Sequence, residues 1–159
     1  MKMDFKIDFK NEIRFFYRAL IGYFSFFGSF VFFVLAVILF FILNQKDFAL
    51  KFAIGAVTSM AIEHLIKFFH PVRRPDAKSI KPRALYEAFQ EKTSFPSGHS
   101  AIATVFTTLI YLEFRMFYLT ALFVFISLMV GLSRISLKRH YLSDVITGYV
   151  LGVTIGLIL

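Results

Sequence analysis

The 159 residues include no cysteine and no tryptophan. Without cysteine there is no disulfide, no thiolate metal site and no cysteine nucleophile. Charge is scarce too: Asp, Glu, Lys and Arg make up 18% of the chain, against about 25% in an average soluble domain. Acidic residues are the scarcer sign, 10 against 18 Lys and Arg, which leaves a formal charge of +8. What fills the space is apolar: 58% of residues are hydrophobic, 23 of them Phe. A soluble domain of this size leaves much of its surface in water and cannot hide that excess. A disordered chain needs the opposite composition. The length fits one domain, residues 1–159. Positive charge on an apolar chain implies anionic partners, namely phospholipid headgroups or phosphorylated substrates rather than nucleic acid.

The apolar residues fall in runs. The chain reads as an all-α, polytopic transmembrane bundle of five spans, at 19–43, 48–69, 97–112, 116–133 and 141–159. The first is 25 residues without a charge. At ~1.5 Å per residue it exceeds the ~30 Å hydrocarbon core and predicts a single helix. Glu63, His64 and Lys67 lie near the end of the second span. Glu63 and Lys67 are four apart and fit an ion pair on one helix face. A polar stretch, residues 70–96, separates spans two and three. Within it, residues 82–89 predict a short interfacial helix with Pro82 in its first turn. Residues 1–15 alternate apolar and charged positions, broken only by Asn11. That is a strand period, yet a lone strand has no partner in a helical bundle. The segment is left as an interfacial tail.

Small residues recur every fourth position at Gly148, Gly152 and Gly156, and more weakly at Ser100, Thr104, Thr108 and at Gly55, Ser59. Such faces allow close helix approach. The expectation is packing within one chain before a dimer seam, giving a monomer or a weak homo-oligomer.

Threaded up and down, the spans bring their polar ends to one membrane face. Lys67 and Arg74, Ser97, Gly98 and His99, Arg134, and His140 and Asp144 all meet there. A phosphoryl group spreads charge over its oxygens, so a catalyst surrounds it with cationic donors. Arg74 and Arg134 offer planar forks and Lys67 a point charge. Ser97 offers a hydroxyl. Gly98 offers an unobstructed N–H at the opening of a helix, where anions are favoured. His140 and Asp144 share one side of a helix. A carboxylate accepting one imidazole N–H leaves the other nitrogen to attack phosphorus. His99 is placed to protonate the leaving oxygen. The expected product is a phosphohistidine that water hydrolyses. Three cationic side chains stand in for a metal, so no metal or other cofactor is expected.

Lys67-x6-Arg74-Pro75, Pro96-Ser97-Gly98-His99 and Ser133-Arg134-x5-His140-x3-Asp144 resemble the three signature motifs of the type 2 phosphatidic acid phosphatase superfamily. Every motif position matches, in order, over about half the chain. The resemblance implies a helical-bundle, metal-independent phosphatase of membrane lipid phosphates. His140 corresponds to the nucleophile, Asp144 to its orienting partner and His99 to the acid/base. Lys67, Arg74, Ser97, Gly98 and Arg134 correspond to the phosphate cradle. The candidate substrates are lipid A, undecaprenyl pyrophosphate and phosphatidylglycerophosphate, in a bacterial cytoplasmic (inner) membrane. Five spans depart from the six of many members. The charge bias also departs: 15 of the 18 Lys and Arg lie on the motif face. The positive-inside rule places that face in the cytoplasm, whereas the resemblance implies an extracytoplasmic site, the orientation expected here. Two readings compete with the phosphatase: a vanadium haloperoxidase, which five spans disfavour, and a non-enzymatic lipid-binding or transport protein with the same pocket.

Overall fold

The computed structural model of the chain describes residues 9–76 and 93–159, with residues 9–15 and 18 described by their backbone alone. Six helices are described: α1 (Phe9–Phe26), α2 (Phe30–Ile42), α3 (Lys46–Phe69), α4 (Gly98–Phe114), α5 (Phe117–Ser136) and α6 (Leu142–Ile158). The fold is all-α, and no strand is present among the described residues. The expected interfacial helix over residues 82–89 and the first half of the alternating tail lie outside the described residues.

One expectation needs correction. The run 19–43 is not one straight helix. It breaks at residues 27–29, and its two arms, Ala19–Phe26 and Phe30–Ile42, are bent by 52°. A Gly-Ser pair, Gly28-Ser29, sits at the break, a common cause of a sharp kink. The Ser29 hydroxyl accepts the N–H of Phe32 at 3.2 Å and caps α2. The alternating tail, which the sequence left open, is helical from Phe9 on, where it forms the first part of α1. With no strand to pair with, the backbone satisfies its own N–H and C=O groups by coiling, as lipid surroundings demand.

α3 and α5 are long and apolar enough to cross a bilayer, and the bent α1–α2 pair qualifies as a third crossing. α6 is shorter but apolar. α4 is different. It is wrapped by α3, α5 and α6, and every residue from Ser100 to Ile110 is buried. Because it faces protein rather than lipid, it tolerates hydroxyls. Thr104, Thr107 and Thr108 each return theirs to the carbonyl four residues back, at 2.7–2.9 Å. Thr107 also meets the Ser127 hydroxyl of α5 at 2.8 Å.

The two small-residue stripes meet each other. Gly148, Gly152 and Gly156 of α6 lie against Ser97 and Ser100, Ala101 and Thr104, and Thr108 of α4. The glycine face is therefore spent inside the chain. On the other side of α4, phenylalanine builds the core. The Phe106 ring lies 4.9 Å from Phe52, 5.0 Å from Phe123, 5.3 Å from Phe32 and 5.7 Å from Phe48. Such aromatic pairs contribute about 0.5–1.5 kcal/mol each beyond the area they bury. Far from the motif residues, Lys51 of α3 pairs with Glu113 of α4 at 3.5 Å.

Candidate active site

The ends of α3 and α5, the start of α4 and the turn before α6 converge around a cavity of about 200 Å³. Lys67, Arg74, Gly98, His99, Arg134 and His140 all line it. That volume is below the roughly 300–1,000 Å³ of a pocket for a drug-sized ligand. Two further motif residues stand behind the wall. Ser97 is wholly buried and caps α4, its Oγ accepting the N–H of Ser100 at 3.4 Å and the hydroxyl of Ser100 at 2.9 Å. Asp144 is buried in the first turn of α6, where its Oδ2 accepts the N–H of Tyr141 at 2.8 Å.

The loops that carry these residues are stitched by backbone. Arg73 and Thr93 form an antiparallel bridge, and the Ser94 N–H donates to the Val72 carbonyl at 2.8 Å. The two ends of the polar stretch are thereby brought side by side. Arg74 is buried and its Nε donates to the Thr93 carbonyl at 3.1 Å. The Ser97 N–H donates to the Asp144 carbonyl at 3.0 Å and ties the start of α4 to the start of α6.

His140 differs in detail from expectation. Its Nδ1 lies 2.7 Å from the Ser94 carbonyl and 3.7 Å from Asp144 Oδ2. The carbonyl is thus the hydrogen-bond partner, and the carboxylate is an electrostatic neighbour. A carbonyl only accepts, so Nδ1 carries the proton and Nε2 keeps its lone pair. Burial, then the Arg134 guanidinium, push the His140 pKa down to about 3, against a smaller opposing pull from the Ser94 hydrogen bond. The imidazole is accordingly neutral at physiological pH, with the lone pair on Nε2.

Sequence reasoning missed three contributors. Ser94 acts through its carbonyl, which no residue type announces. Ser25, at the end of α1, accepts from Arg134 Nη1 at 2.8 Å. Gly28, at the break between α1 and α2, lies so close to His99 that a Cβ there would sit 2.5 Å from the His99 carbonyl oxygen. The bend in the first apolar run therefore delivers two residues to the site. The available signal was the Gly-Ser pair inside an otherwise unbroken apolar run.

Residues 48–159 match the family model of the PAP2 superfamily. The chain belongs to the PAP2 superfamily. It is an integral membrane protein of that superfamily. No match is found among curated proteins. Two crystal structures share the fold. LpxE of Aquifex aeolicus is 22% identical with a TM-score of 0.76, over 90% of this chain and 84% of its own. The first transmembrane PAP2 type phosphatidylglycerolphosphate phosphatase from Bacillus subtilis is 20% identical with a TM-score of 0.72, over 90% of this chain and 74% of its own. Both alignments reach beyond residues 48–159, so the fold likeness takes in part of the N-terminal segment as well.

Proposed function

We propose that residues 1–159 form one catalytic domain. It removes the phosphate or pyrophosphate headgroup of a membrane lipid, without a metal, through a phosphohistidine. The phosphoryl oxygens are held by Lys67, Arg74, Arg134 and the N–H of Gly98 at the α4 N-terminus, where backbone dipoles favour an anion. His140 Nε2 attacks phosphorus as His99, which takes up a proton together with the incoming phosphoryl anion, gives that proton to the leaving oxygen. The P–N bond forms, the P–O bond breaks, and the dephosphorylated lipid departs. Water then attacks phosphorus while His99 takes its proton, and the P–N bond breaks to free phosphate and neutral His140. Ser97 supports this geometry by capping α4. Asp144 supports it as the nearby carboxylate that favours the positive charge His140 gains.

The observation that carries the reading is the 2.7 Å contact of His140 Nδ1 with the Ser94 carbonyl. It selects the tautomer whose free nitrogen can attack. The site lies where a headgroup reaches it while lipid tails stay among the spans. We place the protein in a bacterial cytoplasmic membrane with the site on the extracytoplasmic face. Protease protection of terminal tags tests this, and motif loops shielded inside the cell refute it.

The deciding assay is phosphate release by the purified protein from a panel of lipid phosphates: lipid A, undecaprenyl pyrophosphate and phosphatidylglycerophosphate. His140→Ala and His99→Ala abolish release, and EDTA leaves it intact. Full activity in either variant, or strong inhibition by EDTA, overturns the mechanism.

A further inference from the structure

One lining group does not belong in an anion site. Glu63 of α3 is buried, 8% exposed, and lies on the wall of the phosphate cavity. A carboxylate there repels a phosphoryl dianion, and burying it is costly unless a partner compensates. Its partner is Lys67, one turn on, whose Nζ pairs with Glu63 Oε1. The lysine assigned to the substrate is therefore already paired within the protein.

The same carboxylate fills a second place. A Cβ built on Gly98 would run into the Glu63 carboxylate. Glu63 thus rests against the open side of Gly98, at the α4 N-terminus that an incoming phosphate also needs. Three cations and one carboxylate line the cavity. The two net positive charges match the ≈ −1.5 to −2 of a phosphoryl monoester. Without Glu63 the surplus would be larger, and the product phosphate would be held more tightly than turnover needs.

We infer that Glu63 is a positioning residue that competes with the phosphoryl group for Lys67 and so keeps phosphate binding weak enough for product release. When the anion arrives, Lys67 turns from Glu63 to the phosphoryl oxygens. When phosphate leaves, Glu63 takes the lysine back. This rests on the phosphate reading of the cavity and adds to it a carboxylate outside the three motifs.

The test is binding of inorganic phosphate and of orthovanadate to the detergent-solubilised full chain by titration calorimetry, which needs no turnover. Glu63→Gln keeps the shape and removes the charge. It is expected to bind both anions at least tenfold more tightly than the wild type. In the lipid phosphatase assay it shows correspondingly stronger inhibition by added phosphate and a lower kcat. Glu63→Asp, which draws the charge one methylene away from Lys67, tightens binding by less and guards against misfolding of the first variant. In a Lys67→Gln background the gain from Glu63→Gln shrinks to under threefold. Unchanged or weaker anion binding by both folded Glu63 variants overturns the inference even if the wild type is an active phosphatase. Tighter binding in an otherwise inactive protein upholds it while the phosphatase reading falls. A lower KM for lipid phosphate in Glu63→Gln extends the competition to the headgroup. An unchanged KM alongside tighter free phosphate places the competition at product release, and both outcomes support it.

Discussion

Gly148→Ala offers a sharp test of how the helix packing positions the chemistry. Gly148 sits one turn after Asp144 on α6, facing α4. A Cβ at this position would lie 2.5 Å from the Ser97 carbonyl oxygen and 3.0 Å from Ser100 Cβ. The shortfall against an ordinary contact of at least 3.4 Å is about 0.9 Å. The first obstacle is backbone, which cannot swing aside, so the strain falls on the distance between the two helices. Overpacking of this kind costs about 1–3 kcal/mol. Alanine's better helix propensity returns about 1 kcal/mol, leaving a loss of roughly 0–2 kcal/mol by the same figures. The catalytic loss is larger. α4 carries His99 and the Gly98 N–H, whereas α6 follows directly on His140, and the Ser97–Asp144 backbone hydrogen bond fixes their relation. A misplacement of ~1 Å between reacting groups costs on the order of 100-fold in rate. The assay is kcat/KM on a lipid phosphate, with thermal unfolding followed by circular dichroism in the same detergent. Gly22→Ala in α1 is the control, since nothing lies within 4 Å of a Cβ there. It should leave activity unchanged and stability equal or higher. Gly148→Ala with wild-type kcat/KM would refute the claim that the glycine seam sets catalytic geometry.

Ser25→Ala removes the acceptor of Arg134 Nη1 and should raise KM for the lipid phosphate several-fold with a smaller effect on kcat; Ser25→Thr restores it, and a KM unmoved by both variants argues against a role for the α1–α2 bend. His140 titrates in the unfolded chain near 6.5 and in the folded chain at about 3. The unfolded state therefore binds more protons between those values, and stability is lost as pH falls through that window. From pH 6.5 to 5 the loss attributable to His140 is about 2 kcal/mol. The difference from His140→Gln, whose stability falls by that much less over the same window, measures it, and an imidazole nitrogen NMR signal from His140 that titrates near pH 6.5 in the folded protein would contradict it. Tyr149→Phe deletes the hydroxyl that donates to the Ser127 carbonyl of α5 at 2.9 Å. It should cost about 1 kcal/mol of stability while sparing activity, and a large loss of kcat would mean that α5 and α6 are coupled to the site through Tyr149.

The membrane fold was legible because its signal is bulk hydrophobicity, which lipid selects directly. The break in the first run was not, because 21 of its 25 residues are hydrophobic and hide a Gly-Ser pair that matters only once α1 and α2 pack on different helices. The start of α1 could not be assigned from the pattern for a related reason. Period-two alternation signals a strand only where a sheet exists to receive it. The site's side chains were legible because phosphate chemistry demands particular residue types. The cavity does gather Lys67, Arg74, Gly98, His99, Arg134 and His140. Backbone partners carry no such mark: the Ser94 carbonyl took the hydrogen bond that residue types assigned to Asp144. Glu63 was legible as the partner of Lys67, but its place against Gly98 depends on how α3 meets α4.

Arg74, His140 and Asp144 are all buried beside apolar helices, where an unsatisfied polar group costs about 1–3 kcal/mol. Each finds its partner in backbone drawn from the loop just before the second motif or from its own turn: Thr93 for Arg74, Ser94 for His140, the Tyr141 N–H for Asp144. A buried side chain held by backbone cannot relax far, so the same contacts that satisfy it also fix its direction. The consequence is a division of labour within the motifs. Ser97 and Asp144 do not line the cavity; they hold α4 and α6 at the angle that lets the lining residues do so. Substituting them should therefore change the geometry felt by every phosphate ligand at once, lowering kcat and weakening phosphate binding together. Removing one cation, such as Lys67, removes one contact and leaves the remaining cradle in place.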